Sequence, residues 1–345
     1  MIYHNKLKLL VFTQAIDRND PILGFFHAWV AELAVRCEKV LVLCLREGKH
    51  DLPQNVKVIH ILPCEGQTFA RRIKVILRIL RLAWELRREY DSVFVHMSQE
   101  FVLAAGWLWK LLGKQVFLWR NHYAGSILTD ISALFCIKIF YTSKSSYTAK
   151  FRKAVQMPVG IDTDLFTPPA FAEASSGKRG ERVPGSVLSL GRIAPSKRLE
   201  ILIEALRGLD CTADFYGPAD AGYLKKLKAL AQNMPVCFHG SVLNIETPQI
   251  FASHEVFVNL SPAGMFDKTI LEAAACGCLI ITTSPDAAAL FGEPLVEPTA
   301  AAVAQKLGKL FELSADEKNR LRGKYRGSAE GHSLAKLIEK LCAEF

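Results

Sequence analysis

Short unbroken apolar runs alternate along most of this chain with longer stretches in which apolar residues recur every three or four positions. KLLVFT (Lys8–Thr13), VLVLCL (Val40–Leu45), VKVIHI (Val56–Ile61), SVFVH (Ser92–His96), QVFLW (Gln115–Trp119) and CIKIFYTS (Cys136–Ser143) have the continuous hydrophobicity of strands covered on both faces. Between them the pattern predicts helices over Phe25 to Arg36, Phe69 to Glu89, through FVLAAGWLWKLLG, and near Ser145 to Lys153. AVQMPVGID (Ala154–Asp162) completes this half. Strands alternating with helices predict a parallel sheet with helices on both sides.

From Thr167 to Gly185 the pattern lapses into a polar stretch rich in Pro, Gly and Ser, expected to be a linker or an exposed loop. Alternation resumes with SVLSL, a helix over 197–208, ADFYG (Ala213–Gly217), a helix over 220–232, VCFHG (Val236–Gly240), VFVNL (Val256–Leu260) and LIITT (Leu279–Thr283), before helical segments at the C-terminus. The expected division is a first domain over 1–166, a linker over 167–185 and a second domain over 186–328. A C-terminal helix over 329–345 is expected to pack back on the first domain. Doubly wound domains bind ligands outside the carboxyl ends of their strands, so a cleft between the two is the expected site.

The chain has 345 residues, half of them hydrophobic, enough for two large cores. Its nine cysteines are scattered without zinc-like spacing, and several lie in apolar runs, so they read as small hydrophobes in a reducing compartment. Neither a signal peptide nor a membrane span is legible. A formal charge of +9 and a pI near 9.1 favour anionic partners: nucleotide phosphates, acidic lipid or nucleic acid.

The most informative stretch is Asn259 to Thr283, which reads as strand, loop, helix and strand. Asp267 is placed to cap a helix from about Lys268 to Cys276, with Gly277 ending it. The first amides of that helix lack internal partners and can bind an anion. Glu272, one turn on, is positioned to reach a sugar hydroxyl, although Lys268 and Glu272 also suit a plain solvated pair. GRIAPSKR (Gly191 to Arg198) follows the strand SVLSL in the same way. There Gly191 can turn tightly, and Arg192 and Lys197 can grip a diphosphate, with Lys197 opening the next helix. His122 in WRNHY follows a strand of the first half, and Gly24 in DPILG offers a loop where backbone amides can approach a phosphate. The histidines show no metal-ligand spacing, and no Walker loop, GxGxxG fingerprint or hydrolase triad is present. The helix over 69–89 carries Arg71, Lys74, Arg78, Arg81 and Arg88 on one stripe and Ile73, Ile76, Leu77, Leu80 and Trp84 on another face. That pattern fits an anionic membrane surface or an ordinary helix packed on the sheet. It lacks the aromatic-basic interleaving of nucleic-acid binders.

MPVGIDTDLFTP (Met157–Pro168), GRIAPSKR and SPAGMFDKTILEAAACG together resemble the retaining, nucleotide-sugar-dependent glycosyltransferases of family 4. The resemblance implies the GT-B fold, two Rossmann-like, doubly wound parallel-sheet domains facing across a cleft. It implies that Arg192 and Lys197 hold the donor diphosphate and that Glu272, the second glutamate of a Glu-x7-Glu motif, binds the ribose. Phe266, Asp267, Lys268 and Thr269 would form the loop offering amides to phosphate and sugar, and Gly191 would belong to the donor-binding residues through its turn. Ser241 and Val242 match the segment lining the base, and His122 the histidine near the transferred sugar. Gly24 falls where the family has two glycines; here Leu23 precedes it. The first glutamate of the motif falls at Gly264, so its carboxylate is missing, and Lys268 is the residue expected to compensate.

The implied reaction is transfer of a hexosyl unit from a nucleoside-diphosphate sugar to a hydroxyl of a glycan or lipid-linked acceptor, with retention and without a metal or other cofactor. Domain closure would assemble the site and exclude water. The implied location is cytoplasmic, with peripheral contact at the inner face of a membrane through the 69–89 helix, and no nucleic acid. A non-catalytic nucleotide-sugar-binding subunit, motivated by Gly264, and a GT-B nucleotide-sugar epimerase are the rival readings.

Overall fold

The computed structural model describes residues 7–61, 69–168, 182–264 and 266–345. Most of the polar 167–185 stretch lies outside the described residues. The chain forms two compact units, Met1–Met157 with Leu337–Phe345, and Pro158–Lys336.

Unit one runs β1 (Lys8–Ile16), α1 (Phe25–Arg36), β2 (Lys39–Glu47), β3 (Val56–His60), α2 (Phe69–Glu85), β4 (Ser92–His96), α3 (Gln99–Leu111), β5 (Gln115–Trp119), α4 (Ile127–Phe135), β6 (Lys138–Tyr141) and β7 (Ala154–Gln156). Its seven strands are parallel in the order β3-β2-β1-β4-β5-β6-β7. Alternate residues of each strand face opposite sides. Leu10, Phe12, Val93, Val95 and Leu118 pack with Ile79 and Leu82 of α2, Phe101 and Trp109 of α3, and Ala133 of α4. On the other side Trp29 of α1 meets Trp119, and Phe345 packs among Phe94, Phe117 and Phe140.

Three expectations shift here. The 69–89 helix ends at Glu85. The stretch near 145–153 is only a 3-10 turn, Tyr147–Lys150. Helix α4, which the hydrophobic pattern does not predict, is present and opens on a Ser126 capping box.

Unit two runs β8 (Val183–Leu190), α5 (Leu199–Ala205), β9 (Thr212–Tyr216), α6 (Ala221–Leu230), β10 (Val236–Gly240), α7 (Thr247–Ser253), β11 (His254–Asn259), α8 (Lys268–Ala275), β12 (Leu279–Thr282), α9 (Pro285–Phe291), α10 (Ala300–Glu312), α11 (Ala315–Glu330) and α12 (Leu334–Glu344), the last continuing into the residues assigned to unit one. Its parallel sheet has the order β10-β9-β8-β11-β12. Val159, Ile161 and Phe166, grouped with the first domain on sequence, are buried in the core of this unit. Val183 to Gly185, expected in the linker, begin β8.

The expected 197–208 helix is shorter. Lys197 ends a 3-10 turn, and Arg198 at φ 51° separates that turn from α5. Two parallel, doubly wound sheets in succession make this the GT-B fold.

Candidate functional site

The carboxyl ends of β8, β9 and β10 are stapled together by backbone hydrogen bonds. Gly191 N–H donates to Tyr216 O at 2.9 Å and Gly217 N–H to Gly240 O at 2.7 Å. A side-chain carbon at Gly217 would lie 1.9 Å from the Gly191 carbonyl oxygen, and Gly217 itself has φ 141°, so only glycine fits. This clamp fixes Gly191 and Arg192 at the rim of a shallow pocket, whose lining also includes Ser189, Lys197, Asn259 and Leu260. Arg192 is exposed, and its guanidinium has no partner among the described residues. Ser241, exposed, and Val242, half-buried, follow directly on Gly240.

Lys197 is held differently. Its Nζ donates to Asp267 Oδ2 at 2.5 Å and to Ser261 Oγ at 3.0 Å. The same Asp267 oxygen accepts from Asn259 Nδ2 at 2.8 Å and Ser261 Oγ at 2.6 Å. Burial works to raise the Asp267 carboxyl, but the Lys197 ammonium and these donors outweigh it and hold the group below its ordinary value. The side chain expected to cap α8 therefore makes no capping bond; it anchors the lysine. Asn259 and Ser261, which the sequence reading did not single out, complete the cluster. Their signal was visible: polar residues at the carboxyl end of a wholly apolar strand.

Helix α8 starts at Lys268, whose Nζ donates to Gly160 O at 2.5 Å. Lys268 thus braces the VGID segment, a structural bond beside the diphosphate role the resemblance implies. Burial draws its ammonium below the ordinary value, against the pull of Glu272 and Asp162. Glu272, one turn on, is 4 % exposed and accepts no side-chain hydrogen bond among the described residues. Burial pushes its carboxyl up, with Lys268 opposing.

Thr269 is half-buried in the first turn of α8. Phe266 stacks on His332 with ring centroids 6.2 Å apart. His332 Nδ1 accepts from Val159 N–H at 3.1 Å, so its ring is neutral, and burial lowers its pKa from 6.5. Gly264 has φ 87°, a left-handed conformation that a glutamate would adopt only under strain. The missing carboxylate is therefore coupled to a loop path that favours glycine.

In unit one the loop after β5 presents His122. Its carbonyl accepts from Tyr147 N–H at 2.9 Å, and its N–H donates to Ser146 Oγ at 3.3 Å. Its Nδ1 lies 3.0 Å from the Ala124 amide nitrogen and 3.3 Å from the Ala124 carbonyl oxygen, so the ring is held against its own loop. Arg120, two residues earlier, has a buried Nη1 without a partner and was not singled out on sequence.

Gly24 sits where a side-chain carbon would meet Asp20 O at 2.6 Å, and its N–H already donates to that oxygen at 2.9 Å. Its amide is thus engaged in the turn, not open to a phosphate.

The structure also gathers Asp214, Cys237 and His239, whose candidate ligand atoms lie within 4.8 Å of one another, although their sequence spacing shows no such set. Pairing of β9 with β10 brings them together. His239 contacts Asp214 Oδ1 directly, and His254 Nε2 lies 3.1 Å from Oδ2, so both carboxylate oxygens are engaged by imidazoles.

Residues 184–312 match the family model described as glycosyl transferases group 1. The matched residues lie wholly within unit two. Among curated proteins, the chain is 31 % identical over 159 residues to the GDP-mannose-dependent alpha-(1-6)-phosphatidylinositol monomannoside mannosyltransferase of Mycobacterium tuberculosis, covering 40 % of this chain and 41 % of that protein. It is 30 % identical over 125 residues to the sulfoquinovosyl transferase SQD2 of Arabidopsis thaliana, covering 35 % of this chain and 24 % of that one. The matches thus span less than half the length of these relatives. Among solved structures, Anabaena HepE in complex with UDP and glucose superposes with a TM-score of 0.74 at 18 % identity, covering 98 % of each chain. This last likeness concerns the fold alone. No helix among the described residues is long and apolar enough to cross a membrane.

Proposed function

We propose that this protein is a retaining hexosyltransferase that moves a sugar from a nucleoside diphosphate to a hydroxyl of a glycan or lipid-linked acceptor. The observation that carries the reading is the contrast at the strand ends of unit two. Among the described residues Arg192 stands at the pocket rim without a partner, and Glu272 is buried with no hydrogen-bond donor, the Lys268 ammonium being the charge that opposes it. A guanidinium and a carboxylate left unsatisfied in this way suit a ligand with phosphate at one end and hydroxyls at the other. The first-turn amides of α8 add a further anion-binding group. The names of the relatives support the donor class: one is GDP-mannose-dependent, and HepE was solved with UDP and glucose.

In this reading Arg192 and Lys197 stabilise the diphosphate as its bond to the anomeric carbon breaks. The acceptor oxygen forms the new bond on the same face, and the departing phosphate oxygen takes the acceptor proton. Charge neutralisation falls to these side chains, so the reaction runs without a metal or other cofactor, and chelator should leave the rate unchanged. His122 is the unit-one residue assigned to the transferred sugar. The protein works in the cytoplasm, at the inner face of a membrane that α2 contacts.

Thermal shift with a panel of nucleoside-diphosphate sugars tests donor binding, since a ligand of the folded state raises Tm. Product formation with candidate acceptors then tests transfer. Tight donor binding with neither transfer nor hydrolysis favours the binding-subunit reading that Gly264 motivates. Donor conversion without an acceptor favours the epimerase.

A further inference from the structure

Helices α2, α3 and α4 cover the same side of the sheet in unit one. Helices covering a sheet ordinarily turn polar faces outward. These three do not. Phe69 on α2 is 78 % exposed, Leu111 on α3 77 %, and Ile127 and Leu134 on α4 72 % and 70 %. Ile73, Ile76, Leu77 and Trp84 of α2, Trp107 of α3, and Leu128 and Ile131 of α4 are exposed as well.

Helix α4 is inverted. Its buried residues are Thr129, Ser132 and Ala133, while Ile127, Leu128, Ile131 and Leu134 face outward and only Phe135 of its large apolar residues packs inward. Cations flank this apolar surface. Exposed Arg72, Lys74, Arg81 and Arg88 lie on or just beyond α2, and exposed Lys110 lies on α3.

We infer that the outer surface of α2, α3 and α4 together is a docking face for an anionic membrane, and that the acceptor is a membrane lipid-linked hydroxyl compound. Apolar side chains flanked by arginine and lysine match the acyl boundary and the charged headgroups of such a surface. This deepens the proposed function and rests on it only for the acceptor. The contact is wider than one amphipathic helix.

The face is also wired to the candidate site of unit one. Helix α4 begins five residues after His122, and its Asp130 accepts from Tyr147 Oη at 3.0 Å while Tyr147 N–H donates to His122 O at 2.9 Å. A membrane seated on α4 places its headgroups beside the His122 loop.

The test is co-sedimentation of the full chain with vesicles of phosphatidylcholine alone or with phosphatidylglycerol added. The expected result is binding to the anionic vesicles that weakens with salt, by about fivefold for each cation removed among Arg72, Lys74 and Lys110. Ile127→Ser with Leu134→Ser should reduce binding at least about tenfold. Val35→Ser, which alters an equally exposed apolar residue on α1 across the sheet, should not (Val35 is 75 % exposed). Donor-induced thermal shift on the same variants should be unchanged, so loss of vesicle binding is not loss of fold or of the donor site.

Failure of wild-type protein to bind anionic vesicles, or unaltered binding by the α4 variant, overturns the inference while leaving the transferase reading standing. Light scattering that shows a dimer dispersed by the α4 substitutions would assign the face to a second copy and overturn it too.

Discussion

The two units break the ordinary rules of burial in opposite directions. Unit two holds charge indoors: Glu272 is buried without a hydrogen-bond donor among the described residues, and burial weighs on the ionisation of Asp267 and Lys268. Unit one holds grease outdoors, on α2, α3 and α4. Each exception costs stability in isolation, since a buried carboxylate loses hydration and an exposed leucine gains nothing from folding. In the proposed function each is relieved by a different partner, a polar small molecule in one case and an apolar surface in the other. Departures of this kind locate function better than the ordinary core does.

The largest effect that would sharpen the contrast is at Arg192. Arg192→Ala should lower kcat at least about a hundredfold, with Tm unchanged because the side chain makes no contact that folding needs. Steady-state rates and a melting curve check both halves. Lys197→Ala should lose both activity and about 1–3 kcal/mol of stability, because it strips Asp267 of its counter-ion.

Much of this was legible beforehand, for physical reasons that also explain the failures. Helix 25–36 and the strands at 92–96 and 115–119 were placed to the residue because their apolar patterns agree with their burial, and the edge strand at 236–240 was placed as well although none of its residues is fully buried. Helix α4 escaped because its pattern is reversed: ILTDISALF hides its small and polar residues, so no inward stripe exists to find. Helix α7 escaped because a seven-residue helix leaves only two turns of periodicity. The candidate site residues were named from loop position. Their division of labour was not, since no pattern reveals that Asp267 turns to Lys197 and leaves the cap empty, or that Gly24 spends its amide on Asp20. Those choices depend on which strand ends the sheet order makes neighbours.

A second test of charge held indoors is Glu272→Gln. The amide relieves the burial of a carboxylate but takes the opposing charge from the buried Lys268 ammonium, so the free protein should stay folded with somewhat lower stability. Donor affinity should fall roughly 10- to 100-fold, the worth of a hydrogen bond to a charged group. Calorimetric titration beside a denaturant melt separates the two. Equal donor affinity would remove Glu272 from the site.

Gly264→Glu should not improve transfer, although it supplies the carboxylate that the family motif carries. It should instead cost about 1–2 kcal/mol, because the loop holds that position at φ 87°.

The smallest effect expected is at His332. Its folded pKa lies below the ordinary 6.5, so the unfolded chain binds the proton more readily and stability rises with pH. The contribution is complete above about 6.5 and is lost as pH falls through the unfolded and then the folded value. Unfolding free energy should therefore decline below that point with a slope of at most about 1.4 kcal/mol per pH unit from this group, and His332→Gln should flatten that share of the slope.

The central claim is that the strand-end loops of unit two receive a diphosphate through Arg192. Titration of a plain nucleoside diphosphate into wild-type protein and Arg192→Ala, followed by calorimetry, tests it without needing an acceptor, a sugar or a membrane. Saturable binding by wild type that is lost or greatly weakened in the equally stable variant is the predicted result. The same affinity in both proteins, or none in wild type for any base, would contradict the account.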